Sequence, residues 1–126
     1  MKNVFFNTDV LAVEKKLMEK YNIPSIVLME NAGMKSAGII WDYFIKENCN
    51  RIVILAGKGN NAGDGYVIAR HLHSKNLSDD VYAPIHIFQC YPVSDLKGDA
   101  LINFNIVKEL FRSDYCLQAR RQIDCR

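Results

Sequence analysis

The stretch that decides the fold is RIVILAGKGNNAGDGY, residues 51–66. It begins with a short apolar run rich in β-branched residues and continues into a loop with four glycines, two adjacent asparagines and an aspartate. The run at residues 51–56 predicts a strand buried on both faces, as in a parallel sheet. The loop then lies at the carboxyl edge of the sheet, where open α/β folds bind ligands.

A helix is predicted after this loop, over about residues 65–74, with Asp64 as its N-cap. The unpaired N–H groups and positive dipole end of such a helix favour a phosphate-bearing ligand, and glycines let the main chain approach it closely. A purely structural turn is the alternative, because Gly and Asn adopt left-handed conformations and Asp caps helices. Four glycines within nine residues favour binding.

The spacing of the loop excludes two common nucleotide motifs. A P-loop requires GxxxxGK[ST], but Gly65 is followed by Tyr66. A dinucleotide fingerprint requires GxGxxG, whereas Gly57, Gly59 and Gly63 form G-x-G-x-x-x-G. The second predicted strand also ends without an acidic residue for a ribose hydroxyl. A conventional NAD-dependent dehydrogenase is therefore disfavoured.

The paired asparagines indicate a different kind of site. Amide oxygens of Asn60 and Asn61 are neutral acceptors suited to a hard cation or a hydroxyl group, and Asp64 adds a carboxylate. Lys58 is the loop's cation, and it either approaches a phosphate or remains in solvent. We therefore interpret the loop as a candidate oxygen-rich binding site.

The remaining elements predict an α/β fold with parallel strands and right-handed crossovers. They are a helix capped by Thr8 that runs to about Tyr21, a helix over about 25–46, a strand at 85–90 and a helix over about 98–111. The 25–46 helix carries small residues in the first half of its apolar stripe. Because a helical glycine costs ~1 kcal/mol relative to alanine, Gly33 and Gly38 indicate a close packing contact.

Composition places the chain among cytoplasmic single-domain proteins. Its 126 residues suit one domain, and a net charge of +2 gives no electrostatic case for nucleic acid or anionic membrane. No apolar run approaches the ~20 residues that a membrane span requires, and the N-terminus lacks the features of a signal peptide. The cysteines form no CxxC pair and are expected to be reduced thiols; they are Cys49, Cys90, Cys116 and Cys125.

Three motifs together resemble one known family, the YjeF N-terminal domain of the NAD(P)H-hydrate epimerases. RIVILAGKGNNAGDGYVIARHL at 51–72 is similar to the family's loop, G-x-G-N-N-G-G-D-G, and the helix ending A-R-H-L that follows it. IPSIVLMENAG at 23–33 is similar to I-P-x-x-x-L-M-E-N-A-G, and LKGDALINFNIV at 96–107 resembles the family's G-D-A segment. Residues 1–111 are thus identified as a partial domain of this family, and residues 112–126 as a dissimilar tail.

The resemblance implies a Rossmann-like three-layer α/β/α fold with a parallel sheet, incomplete in this chain. It implies an isomerase that interconverts the C6 epimers of hydrated NADH or NADPH in metabolite repair. A dehydratase specific for one epimer is the implied functional partner, and a homodimer the implied assembly. The implied substrate-binding residues are Asn60, Asn61, Ala62, Gly63 and Asp64, with Asn61 also binding potassium. Ala62 stands where the family usually has Gly, which is tolerated if its φ is negative.

The family's V-D-x-x-x-G-T-G and I-D-x-P-S-G segments have no match in the chain. They carry the other potassium ligands and the acid and base that epimerisation requires, so the catalytic residues are unassigned and the 126-residue chain is expected to turn over little substrate. Only two strands are predicted, and no third strand is evident in the tail. Out-of-frame coding of 112–126 or natural shortening are two explanations. The competing function is a non-catalytic scaffold or nucleotide-binding module.

Three other features of the sequence have a functional and a structural interpretation. The Met29-Glu30-Asn31 corner either reaches a ligand or subunit interface, or forms the polar edge of a tightly packed helix. His71 and His73 are expected to face solvent or to be hydrogen-bonded. The aromatic residues Trp41, Tyr43 and Phe44 are expected in the core and on the helix surface.

Overall fold

A computed structural model describes residues 7–111 and 118–119 of the chain. The elements, in chain order, are α1 (Asn7–Tyr21), α2 (Ser25–Lys46), β1 (Ile52–Ala56), α3 (Asn60–Ser78), β2 (Ile85–Gln89), a 3₁₀ turn (Val93–Asp95), α4 (Gly98–Leu110) and β3 (Gln118–Ala119). This order confirms the predicted α/β class and the predicted succession of helices and strands up to the end of α4.

The sheet is parallel, as predicted. β1 pairs with β2 over the full length of both strands, with Ile52 opposite Ile85 and Ala56 opposite Gln89. The two residues of β3 add to the other side of β2, also in parallel, which gives the order β1-β2-β3. The sequence predicts no third strand after α4, and this short pairing shows that the prediction is wrong. A strand of two residues is too short to give a recognisable sequence pattern.

The hydrophobic core lies on one face of the sheet, under α2, α3 and α4. Its largest buried side chains are Trp41, Tyr66, Phe111, Leu72, Ile85, Ile87, Val67 and Val107. On β1, however, Val53 is 50% and Leu55 72% exposed. The prediction that β1 is buried on both faces is therefore wrong for the described residues, because their helices cover only the face that carries Ile52, Ile54 and Ala56.

The small residues of α2 allow α3 to approach closely. A Cβ added to Gly33 would lie 2.4 Å from Cγ1 and 2.6 Å from Cβ of Val67. This confirms the predicted close contact at Gly33. The same prediction is wrong for Gly38, where an added Cβ would have no neighbour within 4 Å.

The second half of α2 anchors the helix through its aromatic residues. Trp41 is 2% and Phe44 6% exposed, and their rings stack with centroids 5.9 Å apart. The Trp41 Nε1 donates a hydrogen bond to Asp79 Oδ2 over 2.8 Å. Tyr43 is 61% exposed. The predicted division of these aromatics between core and surface is confirmed.

Helix α1 begins at Asn7, so Thr8 lies inside the helix and is not its N-cap as predicted. Its apolar residues Val10, Leu11 and Val13 are about half exposed. None of the helices in the described part of the chain combines the length and hydropathy needed to cross a membrane.

Candidate ligand site at the first turn of α3

The glycine loop is shorter than the sequence indicated. β1 ends at Ala56 and α3 begins at Asn60, with Gly59 as an extended N-cap residue. The prediction that the helix begins at Gly65, with Asp64 as its N-cap, is wrong. Asparagine and glycine are poor helix formers, but tertiary packing of the buried Ala62 and Gly63 compensates for their low propensity.

Asn60 and Asn61 therefore occupy the first turn of a helix rather than a loop. Both side chains are exposed at the carboxyl edge of the sheet. No side chain caps the N-terminus of α3, and the Ala62 N–H donates to the Gly59 carbonyl oxygen over 2.9 Å. The positive end of the helix dipole lies at this exposed turn. This arrangement suits a ligand with an anionic or hydrogen-bond-accepting group.

Ala62 and Gly63 contribute backbone to this turn but no exposed side chain. Ala62 is 1% exposed, and among the described residues the non-glycine positions with positive φ are Asn22 and Asn48. Ala62 therefore has a negative φ, and the alanine causes no backbone strain where the family usually has glycine.

Gly63 lies where three helices meet. A Cβ added there would come within 2.6 Å of Met29 Cε and Sδ on α2, and 3.1 Å from Ala100 Cα on α4. A larger residue at this position would push the helices apart. Packing therefore requires glycine at this position. The same packing fixes the first turn of α3 relative to the edge of the sheet.

Asp64 lies one turn into α3 and is half-buried. Burial raises the pKa of its carboxyl, and the negative charge of Glu14 on α1 raises it further. A carboxyl that keeps its proton to a higher pH can donate as well as accept a hydrogen bond. The approach of α1 to this turn had no signal in the sequence, since the two acidic residues are 50 positions apart.

A buried polar pair lies directly under the loop. The Tyr66 hydroxyl donates a hydrogen bond to Gln89 Oε1, and Gln89 Nε2 lies 3.4 Å from the carbonyl oxygen of Gly57, to which it donates. Burial raises the pKa of Tyr66 to about 12. At the rim, Lys58 Nζ lies 5.2 Å from the centroid of the Tyr91 ring, a cation–π distance.

A second polar cluster joins the three sequence motifs below the site. Arg70 donates to Glu30 Oε2 and, over 3.2 Å, to Asn103 Oδ1. His71 Nε2 lies 2.7 Å from Glu30 Oε1. Asn103, which is 1% exposed, donates in turn to the carbonyl oxygen of Asp99 over 3.0 Å. Glu30 is thus the polar edge of a packed helix, and His71 is hydrogen-bonded as predicted.

Electrostatics favours the charged form of Glu30. Burial alone would raise the pKa of its carboxyl, but the hydrogen bonds and positive charges of His71 and Arg70 outweigh burial and lower the pKa below its ordinary value. A cleft of about 300 Å³ between α3 and α4 borders Arg70 and His71, and its lining does not include Asn60 or Asn61. The cluster therefore ties helices together away from the candidate site.

Asn61, the residue predicted to bind potassium, lies in the exposed first turn of α3. Asn61 offers an amide oxygen, a suitable ligand for a hard cation, but the positive end of α3 disfavours a cation beside it. Within residues 7–111, no group of three or more His, Cys, Asp or Glu side chains is placed to hold a metal ion. The potassium-binding role of Asn61 stays a prediction.

The fold and the loop together define a parallel α/β domain with an exposed helical turn, the candidate ligand site, at the carboxyl edge of its sheet. The family model described as "YjeF-related protein N-terminus" matches residues 25–116. The chain belongs to this family, which confirms the resemblance drawn from the three motifs.

The names of the curated relatives refer to NAD(P)H-hydrate. The chain is 39% identical over 99 residues to the bifunctional NAD(P)H-hydrate repair enzyme Nnr of Moorella thermoacetica, covering 78% of the chain and 18% of the relative. It is 35% identical over 94 residues to the NAD(P)H-hydrate epimerase of Pirellula staleyi, covering 75% of the chain and 37% of the relative. The chain thus spans well under half the length of either protein, and no solved structure gives a significant match.

Proposed function

We propose that the chain carries the substrate-binding loop of an NAD(P)H-hydrate epimerase, an isomerase that interconverts the C6 epimers of hydrated NADH and NADPH. The observation that carries the proposal is the uncapped first turn of α3, with Asn60 and Asn61 exposed at the carboxyl edge of the sheet. Hydration adds a hydroxyl group to the nicotinamide ring, and the dinucleotide also has a pyrophosphate. Asparagine amides can bind the hydroxyl, and helix N–H groups can bind a phosphate oxygen.

Asn60, Asn61 and Asp64 are the side chains proposed to contact the substrate, while Ala62 and Gly63 contribute main-chain groups. Epimerisation at C6 needs one group to remove a proton and another to return it. We assign neither the acid nor the base to a described residue. The proton-transferring groups are proposed to lie outside residues 7–111.

Three further features are proposed with this activity. Asn61 would contribute one amide oxygen to a bound potassium ion, with the remaining ligands supplied from outside the described residues. A homodimer in the cytoplasm is the proposed assembly. An NAD(P)H-hydrate dehydratase is the proposed functional partner, supported by the bifunctional name of the Moorella relative.

Binding by this chain is the direct test. Calorimetric titration with hydrated NADPH, NADPH and ADP should rank hydrated NADPH first, and Asn61→Ala should weaken its binding and reduce any potassium dependence. Epimer interconversion, followed chromatographically, should stay close to the spontaneous rate for the 126-residue chain. Equal affinity for all three nucleotides would contradict the epimerase assignment and leave a generic nucleotide-binding module.

A non-catalytic scaffold is the second candidate, and one observation favours it. Val53 and Leu55 expose an apolar surface on the sheet face that the described helices leave open, and exposed apolar patches mark association surfaces. Sedimentation across micromolar concentrations separates the two functions. A scaffold should self-associate without binding hydrated NADPH, and a monodisperse monomer would exclude self-association.

A further inference from the structure

The loop between β1 and α3 is not fixed by steric demands at its glycines. A Cβ added to Gly57 or Gly59 would have no neighbour within 4 Å, and neither residue has a φ in the left-handed region. The loop also has no side-chain cap at the start of α3. The contacts that hold it are the Lys58–Tyr91 cation–π contact, the Ala62–Gly59 backbone hydrogen bond and a side-chain hydrogen bond from below.

Gln89 is the side chain that makes such a contact. It is 6% exposed at the carboxyl end of β2, within the core. Burying an amide without hydrogen-bond partners costs about 1–3 kcal/mol, so Gln89 can be buried at this position only because its amide has partners. Its oxygen accepts from the Tyr66 hydroxyl on α3, and its nitrogen donates to the Gly57 carbonyl at the start of the loop.

These two hydrogen bonds join the start of the loop and the second turn of α3 to one side chain. Gly57 directly follows β1, and Tyr66 lies in the second turn of α3. Tyr66 is 0% exposed, and its ring packs edge-on against Phe104 with centroids 5.6 Å apart. The hydroxyl is therefore held by a fixed ring, and Gln89 links that ring to the main chain of the loop.

We propose that Tyr66 and Gln89 are positioning residues that hold the Gly57–Asn61 segment and thereby place Asn60 and Asn61 for the ligand. The pair does not touch the ligand itself. It sets the loop through the Gly57 carbonyl on one side and through α3 on the other. This inference rests on the proposed function only for the identity of the ligand, since the effect on the loop can be measured without one.

The first test removes the hydroxyl and keeps the ring, with Tyr66→Phe in the full 126-residue chain. Nitrogen-15 relaxation should show the order parameters of Gly57, Gly59 and Asn61 falling from roughly 0.85 to 0.6 or below, whereas those of core amides such as Ile87 stay unchanged. Tyr43→Phe is the matched control, because Tyr43 is 61% exposed and lies far along α2. It should change neither group of amides.

A second variant, Gln89→Leu, breaks both hydrogen bonds at once. If the residues act as one pair, the Tyr66→Phe/Gln89→Leu double variant should loosen the loop no more than Gln89→Leu alone. Should Gln89→Leu fail to fold, Tyr66→Phe decides the matter by itself. Unchanged loop order parameters in Tyr66→Phe, or an equal change in loop and core, would overturn the proposal.

Ligand affinity is the quantity that a purely structural role of the pair would leave unchanged. Hydrated NADPH should bind Tyr66→Phe roughly tenfold more weakly than the unmodified chain, because the loop must be ordered on binding. If the unmodified chain binds no hydrated NADPH, the proposed function fails, but the relaxation data still decide the role of the pair. If binding is retained and Tyr66→Phe binds equally well, the positioning role is overturned.

Discussion

Two turns of the same helix illustrate how differently motif residues can be used. At the start of α3, Asn60 and Asn61 expose their side chains and no side chain caps the N–H groups. Further along α3, Arg70 and His71 both contact Glu30 on α2, and Arg70 also contacts Asn103 on α4. Both turns belong to one sequence motif, yet the first exposes its side chains and the second contacts neighbouring helices.

This difference separates the residues that build the scaffold from those proposed to bind. Small residues and the charged cluster lock α2, α3 and α4 together beneath the sheet edge. The first turn of α3 then projects from a fixed support. Changes in the support should lower the free energy of unfolding, whereas changes in the exposed turn should affect ligand affinity. The predictions below test that separation, beginning with the largest effect on stability.

Gly33→Ala should give the largest loss. The added methyl group would overlap Val67 at 2.4 Å, and a β-branched side chain has little freedom to move aside. We expect the free energy of unfolding to fall by about 2–3 kcal/mol, measured by urea denaturation followed by circular dichroism.

Gly38→Ala is the matched control on the same helix. An added Cβ there meets nothing within 4 Å, so the higher helix propensity of alanine should act alone. We expect a gain of about 1 kcal/mol. If both variants shift stability in the same direction, the close contact of α2 with α3 is not the reason for the glycine at position 33.

Glu30→Ala should have a smaller effect, since the carboxylate is 37% exposed and solvent weakens its ion pair with Arg70. We expect a loss of about 1–2 kcal/mol in the free energy of unfolding, because Arg70 and His71 lose their shared partner. Glu19→Ala is the control. Its pair with Lys15 spans 3.8 Å on the surface of α1, and its removal should cost less than about 0.5 kcal/mol.

The same cluster predicts a pH dependence of stability. The pKa of Glu30 is lowered in the folded chain relative to its ordinary value of 4.5. The stabilisation is therefore fully present above that pH and is lost as the pH falls through the lower folded-state pKa. Denaturation midpoints of the unmodified chain should decline below pH 4.5, and Glu30→Gln should remove part of that decline. An identical pH profile for Glu30→Gln would show that other groups cause it.

The sequence was sufficient for the parallel α/β class, the bounds of α2 and the packing of Gly33, because periodicity and composition are local signals. It was insufficient where tertiary contacts override local preference. Asn60 and Gly63 read as loop residues, yet the contact of Gly63 with Met29 and Ala100 makes this stretch helical. Propensity alone does not include that contact.

The charged cluster and the outer face of β1 show two other limits. Glu30 and Arg70 are 40 positions apart, and one sequence carries no signal that pairs them. The apolar run of β1 indicated burial on both faces, but Val53 and Leu55 are exposed in the described part of the chain. A strand pattern predicts that a face should be covered and does not identify the covering element.

Asn60→Ala and Asn61→Ala should have the smallest effect on stability, within about 0.5 kcal/mol, because both side chains are exposed. Alanine has the higher helix propensity, which offsets any lost hydrogen bond in the first turn. Affinity for hydrated NADPH, measured by calorimetry, should nevertheless fall roughly tenfold for each variant, since each removes one polar contact. Asn105→Ala, an exposed asparagine on α4, is the control and should leave affinity unchanged. A loss of stability comparable with that of Gly33→Ala would mean that the first turn of α3 belongs to the scaffold, and the division between the two turns would then have to be abandoned.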